Sequence, residues 1–586
     1  MFDRVIGETY AGTVNGIYDY VYDGDGNLAE KNAVFGDDTE KHTYQYDSLG
    51  RLYHSSAYVN TNQSLSTSYL YDIEDRLKQQ SWTIGTDAGF TDRYTYNHTD
   101  STLSSFDVTA FVPGIDSSMD EITTSYSYTP LRQIKEKSIQ YDGSEKFHKA
   151  YAYHRIDSSV RHTNQIEYLN YRRNDETLIT GNKYLYDSNG RLSSIIPVTS
   201  AGLDSSKAVT YTYDSMGQLT GCTDQRSGST VNYTYSYDTA GNIRSSTGDT
   251  SKTYYYENTS WPDLLTKVRI GSTVRSITYP KVNRKVISGT PLTWYNGNNY
   301  TFTWKHGTQL ATASKGGITA SYSYDMDGIR NSKTVGNTVY HFDTLSGKAM
   351  HQTGDDRELW FIYDENGQPY ILISKEGSDV QVYWYLINAV GDVIGLLNST
   401  QQIVATYRYD PYGRIIDEWI SSNDDIGTIN PLRYRGYYYD SETGFYYLQS
   451  RYYDPEIGRF ISNDSFATTD SHDLLSCNMF AYCLNDPVNR IDDGGNYSFW
   501  AASFIVGFIV GGVELLPNIC ITLPLAAVSF FFRSIASGVI SMMLSMVTLL
   551  TIASSVHDLL KAVSLLDYEK DDLFCVNREG EVYKMN

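Results

Sequence analysis

Hydrophobic and polar positions alternate with a period of two along most of this chain. Val209-Thr210-Tyr211-Thr212-Tyr213 and Tyr233-Thr234-Tyr235-Ser236-Tyr237 are clear instances. Such a period puts one set of side chains on one face, so these stretches predict strands that carry a face of tyrosine rings. The strands end on a recurring phrase, Tyr-Asp-x-x-Gly-x-Leu/Ile. It is present at Tyr46-Asp47 with Gly50 and Leu52, and at Tyr186-Asp187 with Gly190 and Leu192. It returns at Tyr213-Asp214, Tyr237-Asp238, Tyr324-Asp325 and Tyr409-Asp410, with weaker copies at Tyr22-Asp23, Tyr71-Asp72 and Tyr363-Asp364. The phrase has a mechanical sense. Asp opens a turn, because its carboxylate accepts nearby backbone N–H groups. Gly three places on supplies a positive φ that a Cβ would resist. Leu or Ile then rejoins the apolar face. Each unit is a strand-turn-strand element, and because a lone hairpin is marginal, the units must pair laterally into a long sheet.

Composition sharpens this picture. The chain has 54 Tyr against 20 Phe and 8 Trp, a usage that suits sheets whose faces are half wet. The formal net charge of -22 argues against nucleic acid as a partner, since phosphate binding needs a basic surface. Five cysteines, Cys222, Cys477, Cys483, Cys520 and Cys575, are odd in number and lack any zinc-type spacing, so neither a disulfide framework nor a metal site is expected. No motif calls for a cofactor: P-loop, HExxH and GxSxG are all missing. The opening MFDRVIGETYAG has neither a basic nor an apolar leader region, and the repeats begin almost at once. The expectation is a chain without a signal peptide whose natural form starts further upstream.

The repeats resemble the YD repeats of bacterial Rhs polymorphic toxins, of the C components of insecticidal toxin complexes, and of teneurins. The resemblance runs over roughly residues 1 to 495 and includes a tryptophan variant, Trp304-Lys305-His306-Gly307-Thr308-Gln309-Leu310. It implies a mainly β fold in which antiparallel repeats spiral into a hollow shell over 1–430. Residues 431–495 carry the most specific phrases: Arg433-Tyr434-Arg435-Gly436, Arg451-Tyr452-Tyr453-Asp454-Pro455, Gly458-Arg459-Phe460 and Asn485-Asp486-Pro487. They are similar to the Rhs-repeat-associated core domain, which closes one end of the shell and in many members cuts the chain just downstream by aspartyl-protease-like chemistry. Two carboxylates in proximity split their pKa values, so that one serves as base and the other as acid. The resemblance makes Asp440, Asp454, Asp464 and Asp492 the candidates, with Arg451 as their basic partner and Gly494, Gly495 and Asn496 as the cleavage region. Each Asp also has an ordinary reading as a turn residue. The family's DPxG elements stand here as Asp464-Ser465 and Asp492-Asp493-Gly494-Gly495, without proline.

After Gly495 the chain changes character. Residues 499–513 carry no charge, Leu515 to Phe532 is uncharged but broken by Pro517 and Pro524, and Ser534 to Val556 is uncharged and long enough to span a bilayer core. The pairs Gly507/Gly511 and Ser541/Ser545 suit close helix packing. The expectation for 496–586 is therefore a hydrophobic tail, helical over 496–560, that inserts into membranes once released and is sheltered inside the shell until then.

Taken together, the sequence predicts the carrier part of a bacterial toxin, secreted or held at the cell surface, that houses and releases its own C-terminal effector. An immunity protein and a target-cell membrane are the partners this implies. Two other readings stay open: a cell-surface adhesion protein that binds glycans through its aromatic repeats and is anchored by the tail, and a degenerate fragment without activity.

Overall fold

A computed structural model describes residues 5–500, apart from 11–15, 36–37, 61, 86–87, 113–120, 142, 156–161, 465–476, 493 and 496–497. Beyond residue 500 it describes only Phe574–Val576 and Val582–Lys584, two short strands paired antiparallel. The chain divides into two compact units, Met1–Glu514 and Leu515–Asn586.

The first unit is built almost wholly of antiparallel strands. A 23-stranded sheet runs from Gly7–Tyr10 to Thr273–Ser276, and a 13-stranded sheet from Thr293–Tyr295 to Ile415–Ile420. Both are meanders in which nearly every strand pairs with the one that follows it, as when Leu178–Tyr186 pairs with Leu192–Thr199; the exception is the short Gly202–Leu203, which Leu192–Thr199 passes over to pair with Val209–Tyr213. The one α-helix among the described residues is the single turn Ile426–Ile429. This is the mainly β, antiparallel repeat fold that the tyrosine alternation predicts.

The repeat phrase folds as its chemistry requires. In the unit at 186, Asp187 N–H donates to the Arg191 carbonyl at 2.8 Å and Gly190 N–H donates to the Asp187 carbonyl at 3.0 Å. One carboxylate oxygen accepts the N–H groups of Asn189 and Arg191, each at 2.9 Å, and the other accepts Arg191 Nε at 2.8 Å. Gly190 has φ +77°, the left-handed region that favours glycine. The same closure, Asp N–H to the carbonyl four residues on, recurs at Asp23, Asp47, Asp72, Asp214, Asp238, Asp325, Asp364 and Asp410. All nine copies read from the sequence are therefore turns of one kind.

The tyrosine of most of these phrases has a second task. Its hydroxyl crosses to the neighbouring hairpin and donates to the carbonyl of the residue that restarts the earlier strand. Tyr71 donates to Leu52, Tyr213 to Leu192, Tyr237 to Leu219, Tyr324 to Leu310 and Tyr409 to Val393, at 2.6–2.9 Å. A β-irregularity just before each of these tyrosines sets it opposite the returning strand, as in Tyr213↔Leu219. Phenylalanine would fill the same space but could not staple one repeat to the last. Trp304 performs the same task, its indole N–H donating to the Pro291 carbonyl at 2.6 Å.

The two sheets meet through packed aromatic side chains. Trp82 stacks with Trp360 at 6.3 Å between ring centroids, and Phe147 meets Trp384 edge-on at 6.0 Å. A second, larger core joins the repeats to residues 432–491. There a four-stranded meander, Tyr438–Asp440, Phe445–Leu448, Arg451–Asp454 and Arg459–Phe460, is buried almost throughout.

One expectation is corrected. Helix was expected from residue 496, yet Ser498–Trp500 is a strand paired with Arg490–Asp492. Two aromatic residues favour extended backbone, and the free edge of Arg490–Asp492 offers hydrogen bonds that a helix start would not receive. The Phe574–Val576 and Val582–Lys584 pair is likewise extended, in a stretch of β-branched and aromatic residues around Asn577 and Gly580. The apolar run itself, 501–573, lies outside the described residues; no helix among those described is long and apolar enough to cross a membrane.

Candidate functional site

The core segment enters the large core through a set of buried polar side chains, and these separate the five sequence candidates into two groups. Asp440 is fully buried beside Arg330 Nη1 at 2.5 Å and Lys333 Nζ at 3.0 Å. Burial acts upward on its carboxyl, but the two cations outweigh it and hold it below the usual carboxylate range. Arg330 is itself packed among the rings of Phe342, Tyr438 and Tyr447 at 4.4–5.0 Å. Asp440 is thus a fastener between the core segment and the second sheet. Asp454 is also fully buried and accepts the Trp294 indole N–H at 2.7 Å and the Glu456 N–H at 2.9 Å. Burial, with no cation in contact, pushes its carboxyl up to about 7. Among the described residues, neither has a hydrogen bond or ion pair with Gly494 or Gly495.

Asp464, Asp492 and Arg451 do come together. Arg451 Nη2 lies 3.2 Å from Asp464 Oδ2 and 3.8 Å from Asp492 Oδ2, so one guanidinium joins both carboxylates. Its Nη1 donates to the Met479 carbonyl at 2.9 Å, and Phe460 lies beneath its plane at 3.6 Å. Its Nε donates to the Gly495 carbonyl. The dyad therefore adjoins the backbone of the expected cleavage region. Asp492 Oδ1 accepts the Gly495 N–H at 2.8 Å, and the Asp492 N–H donates to the Tyr437 hydroxyl at 2.9 Å. Burial pushes the Asp492 carboxyl up to about 6, against the opposing pull of Arg451 and of the Gly495 and Gly494 N–H groups. A carboxyl of that kind exchanges its proton near neutrality, whereas one held by a cation stays ionised.

Local structure explains the assembly. Arg451 follows the tight turn Gln449-Ser450, which joins Phe445–Leu448 to Arg451–Asp454 with Leu448 opposite Arg451; Gln449 takes φ +57°. Asp464 is held where its N–H donates to the Met479 carbonyl at 3.0 Å. Asp492 ends the strand whose partner is Ser498–Trp500, so residues 493–497 connect two paired strands. Asn496 lies outside the described residues.

Sequence reading missed Ser450, whose hydroxyl donates to the Gly494 carbonyl at 2.6 Å, and Tyr437. Ser450 adjoins Arg451 in sequence, but its aim depends on a turn that the residue types do not announce. Among the described residues no group of three His, Cys, Asp or Glu side chains is arranged to hold a metal ion, and Cys222, Cys477 and Cys483 are free thiols.

Known proteins share these features. Residues 348–488 match the family model "Teneurin YD-shell". The tRNA nuclease WapA of Bacillus subtilis is 35% identical over 214 residues, which is 34% of this chain and 9% of that protein. The toxin subunit YenC1 of Yersinia entomophaga is 23% identical over 421 residues, 64% of this chain and 40% of the relative. Among solved structures, a chain of the TcdB2-TccC3-Cdc42 complex aligns with a TM-score of 0.57 at 18% identity, over 82% of this chain and 27% of that one. The chain thus spans about a tenth of the WapA relative it matches. At this identity the likeness is one of fold alone.

Proposed function

Since the chain belongs to the Rhs/YD-repeat shell proteins, we propose that it is the carrier of a polymorphic toxin, which cuts itself beside Gly495 and thereby frees residues 496–586 as an effector. The observation that carries this reading is the single guanidinium of Arg451, shared by Asp464, Asp492 and the Gly495 carbonyl. In the reaction a water oxygen attacks a backbone carbonyl carbon of the cleavage region. One carboxylate takes a proton from the water, and the protonated partner gives its proton to the departing amide nitrogen as the C–N bond breaks. Asp464, paired more closely with Arg451, is suited to the role of base. Asp492, with its raised pKa, is suited to the role of acid. Arg451 stabilises the oxyanion that forms on the carbonyl it holds. Buried walls keep these charges in a medium where they act strongly.

Relatives that include a tRNA nuclease and a toxin subunit support a toxin context. The composition of 496–586 favours an effector that works at a target-cell membrane, in a protein exported from a bacterium that protects itself with an immunity protein. Time-resolved intact mass of the full chain tests the reading. The 66.3 kDa species should give way to two fragments that meet within residues 494–497. A mass that stays whole after prolonged incubation would refute self-cleavage. For the tail, leakage of dye from anionic vesicles should follow cutting and be missing from an uncut variant; equal leakage from both would refute release as the trigger.

A further inference from the structure

The cleavage region is gripped by backbone-directed contacts from two adjacent residues. Ser450 Oγ donates to the Gly494 carbonyl at 2.6 Å, with the Ser450 N–H at 3.4 Å from the same oxygen. Arg451 Nε donates to the Gly495 carbonyl. On the other side Asp492 Oδ1 accepts the Gly495 N–H. Two successive carbonyls are thus each assigned a separate donor, and the intervening N–H is held as well.

Resting on the self-cleavage reading above, we propose that Ser450 is a positioning residue of that reaction, and that together with the bare backbone of Gly495 it sets which peptide bond meets the dyad. Ser450 touches a carbonyl one residue before the one that Arg451 polarises, so it does not itself stabilise the reacting oxygen. It acts by registration. With the Gly494 oxygen fixed, the chain cannot slide by one residue to bring a neighbouring carbonyl under the guanidinium.

Gly495 makes the same choice by size. Its φ is +79°, and a Cβ there would lie 2.6 Å from the Leu448 carbonyl oxygen, 2.6 Å from Ser450 Oγ and 3.2 Å from Arg451 N. Backbone atoms make two of those three contacts, so the obstruction cannot swing aside. The site takes a residue without a side chain at this position, and its substrate is the chain's own loop, delivered in register by the pairing of Arg490–Asp492 with Ser498–Trp500. Presenting the loop in this way supplies the orientation that a free peptide would lack.

The test uses the full chain made by cell-free translation, so that cutting is followed from the moment of synthesis by intact mass. Ser450→Ala should slow cutting about tenfold, the kinetic equivalent of one well-placed hydrogen bond. It should also scatter the cut over neighbouring bonds, and leave the thermal midpoint of the uncut chain within a degree or two. Ser450→Thr, which keeps the hydroxyl, should restore both the rate and the single cut position. Gly495→Ala should slow cutting more than Ser450→Ala. If the wild type cuts and Ser450→Ala cuts at the same rate and the same bond, Ser450 has no positioning role. That role is equally overturned if Thr fails to rescue while the midpoint falls, since the defect is then structural. If the wild type itself never cuts, the self-cleavage reading fails, and the role of Ser450 with it.

Discussion

In the repeat turns and in the core segment an aspartate sits beside an arginine, and the two regions use the pair for opposite ends. At Asp187 the carboxylate receives two backbone N–H groups and the Arg191 side chain. Burial acts upward on its pKa, but these donors outweigh it and hold the group ionised. At Asp492 the Gly495 N–H is in contact at 2.8 Å, the Gly494 N–H also bears on the carboxyl, and Arg451 stands back at 3.8 Å, shared with Asp464. There burial wins and the pKa rises to about 6. The residue types are the same; the depth of burial and the closeness of the guanidinium differ. A carboxylate whose donors outweigh burial stays ionised, and one that burial dominates retains a proton to give. Asp440 and Asp410 fit this scheme from either side. Two cations keep Asp440 low, while Asp410, a turn aspartate carried into the core, is raised by burial in spite of Arg414.

The strongest break of this comparison is removal of the dyad. Asp464→Asn and Asp492→Asn should each slow cutting by about 10²–10⁴-fold, the usual worth of a positioned acid or base, as followed by intact mass. Asp440→Asn should act on a different quantity. It leaves Arg330 buried without its carboxylate and Lys333 paired with Glu442 alone, and should cost about 3–5 kcal/mol of stability by denaturant titration. Cutting by whatever fraction remains folded should persist.

These two outcomes also mark how far the sequence could be read. The turns were legible because every participant lies within five residues: Asp, Gly, and the side chain that returns to the carboxylate. Even so, turns without the Asp signal were missed. Asn388 and Asn398 close onto Asp392 and Gln402 with an amide in place of the carboxylate, and Arg173 closes onto Thr177 with Glu176 at φ +66°. The core segment was legible in its phrases but not in its pairings. Asp440 meets Arg330 from 110 residues away, and no local pattern says that Arg451 faces Asp464 and Asp492 while Asp454 faces Trp294.

Acidity should separate the raised carboxyls from the lowered ones among the described residues. At the seam between the first strands and the turn at Asp325, Lys31 and His42 contact Asp327, and Glu40 accepts the Met326 N–H at 2.6 Å. Asp325 and Asp454 are raised to about 7, foremost by burial. His42 is also raised: burial acts downward, but Asp327 prevails. Raised carboxyls bind more protons folded than unfolded, so their contribution declines as pH climbs from about 4 towards 7. The contribution of His42 is complete below about 6.5 and is lost as pH passes its folded value. Asp327 and Asp440, held low, lose theirs only as pH falls below the carboxylate range. The thermal midpoint of an uncut variant should therefore be higher at pH 5–6 than at pH 8. An equal or higher midpoint at pH 8 would contradict the assignment.

The smallest expected effect concerns the tyrosine staple. Tyr186→Phe removes a hydroxyl that donates to the Ile166 carbonyl at 2.8 Å and should cost about 1 kcal/mol by denaturant titration. If each repeat is stapled separately, Tyr186→Phe and Tyr324→Phe should add in their effects, because the two hydroxyls share no partner: Ile166 holds one, Leu310 and Tyr452 the other.

The most direct test sets the two regions side by side. Asp464→Asn with Asp492→Asn is compared with the turn pair Asp187→Asn with Asp214→Asn, each in the full chain, by time-resolved intact mass. The dyad variant should stay whole, while the turn variant, though less stable, should be cut at the wild-type bond. Cutting by the dyad variant at the wild-type rate, or a turn variant that folds and stays whole, would contradict a division of labour between the turn carboxylates and the pair that shares Arg451.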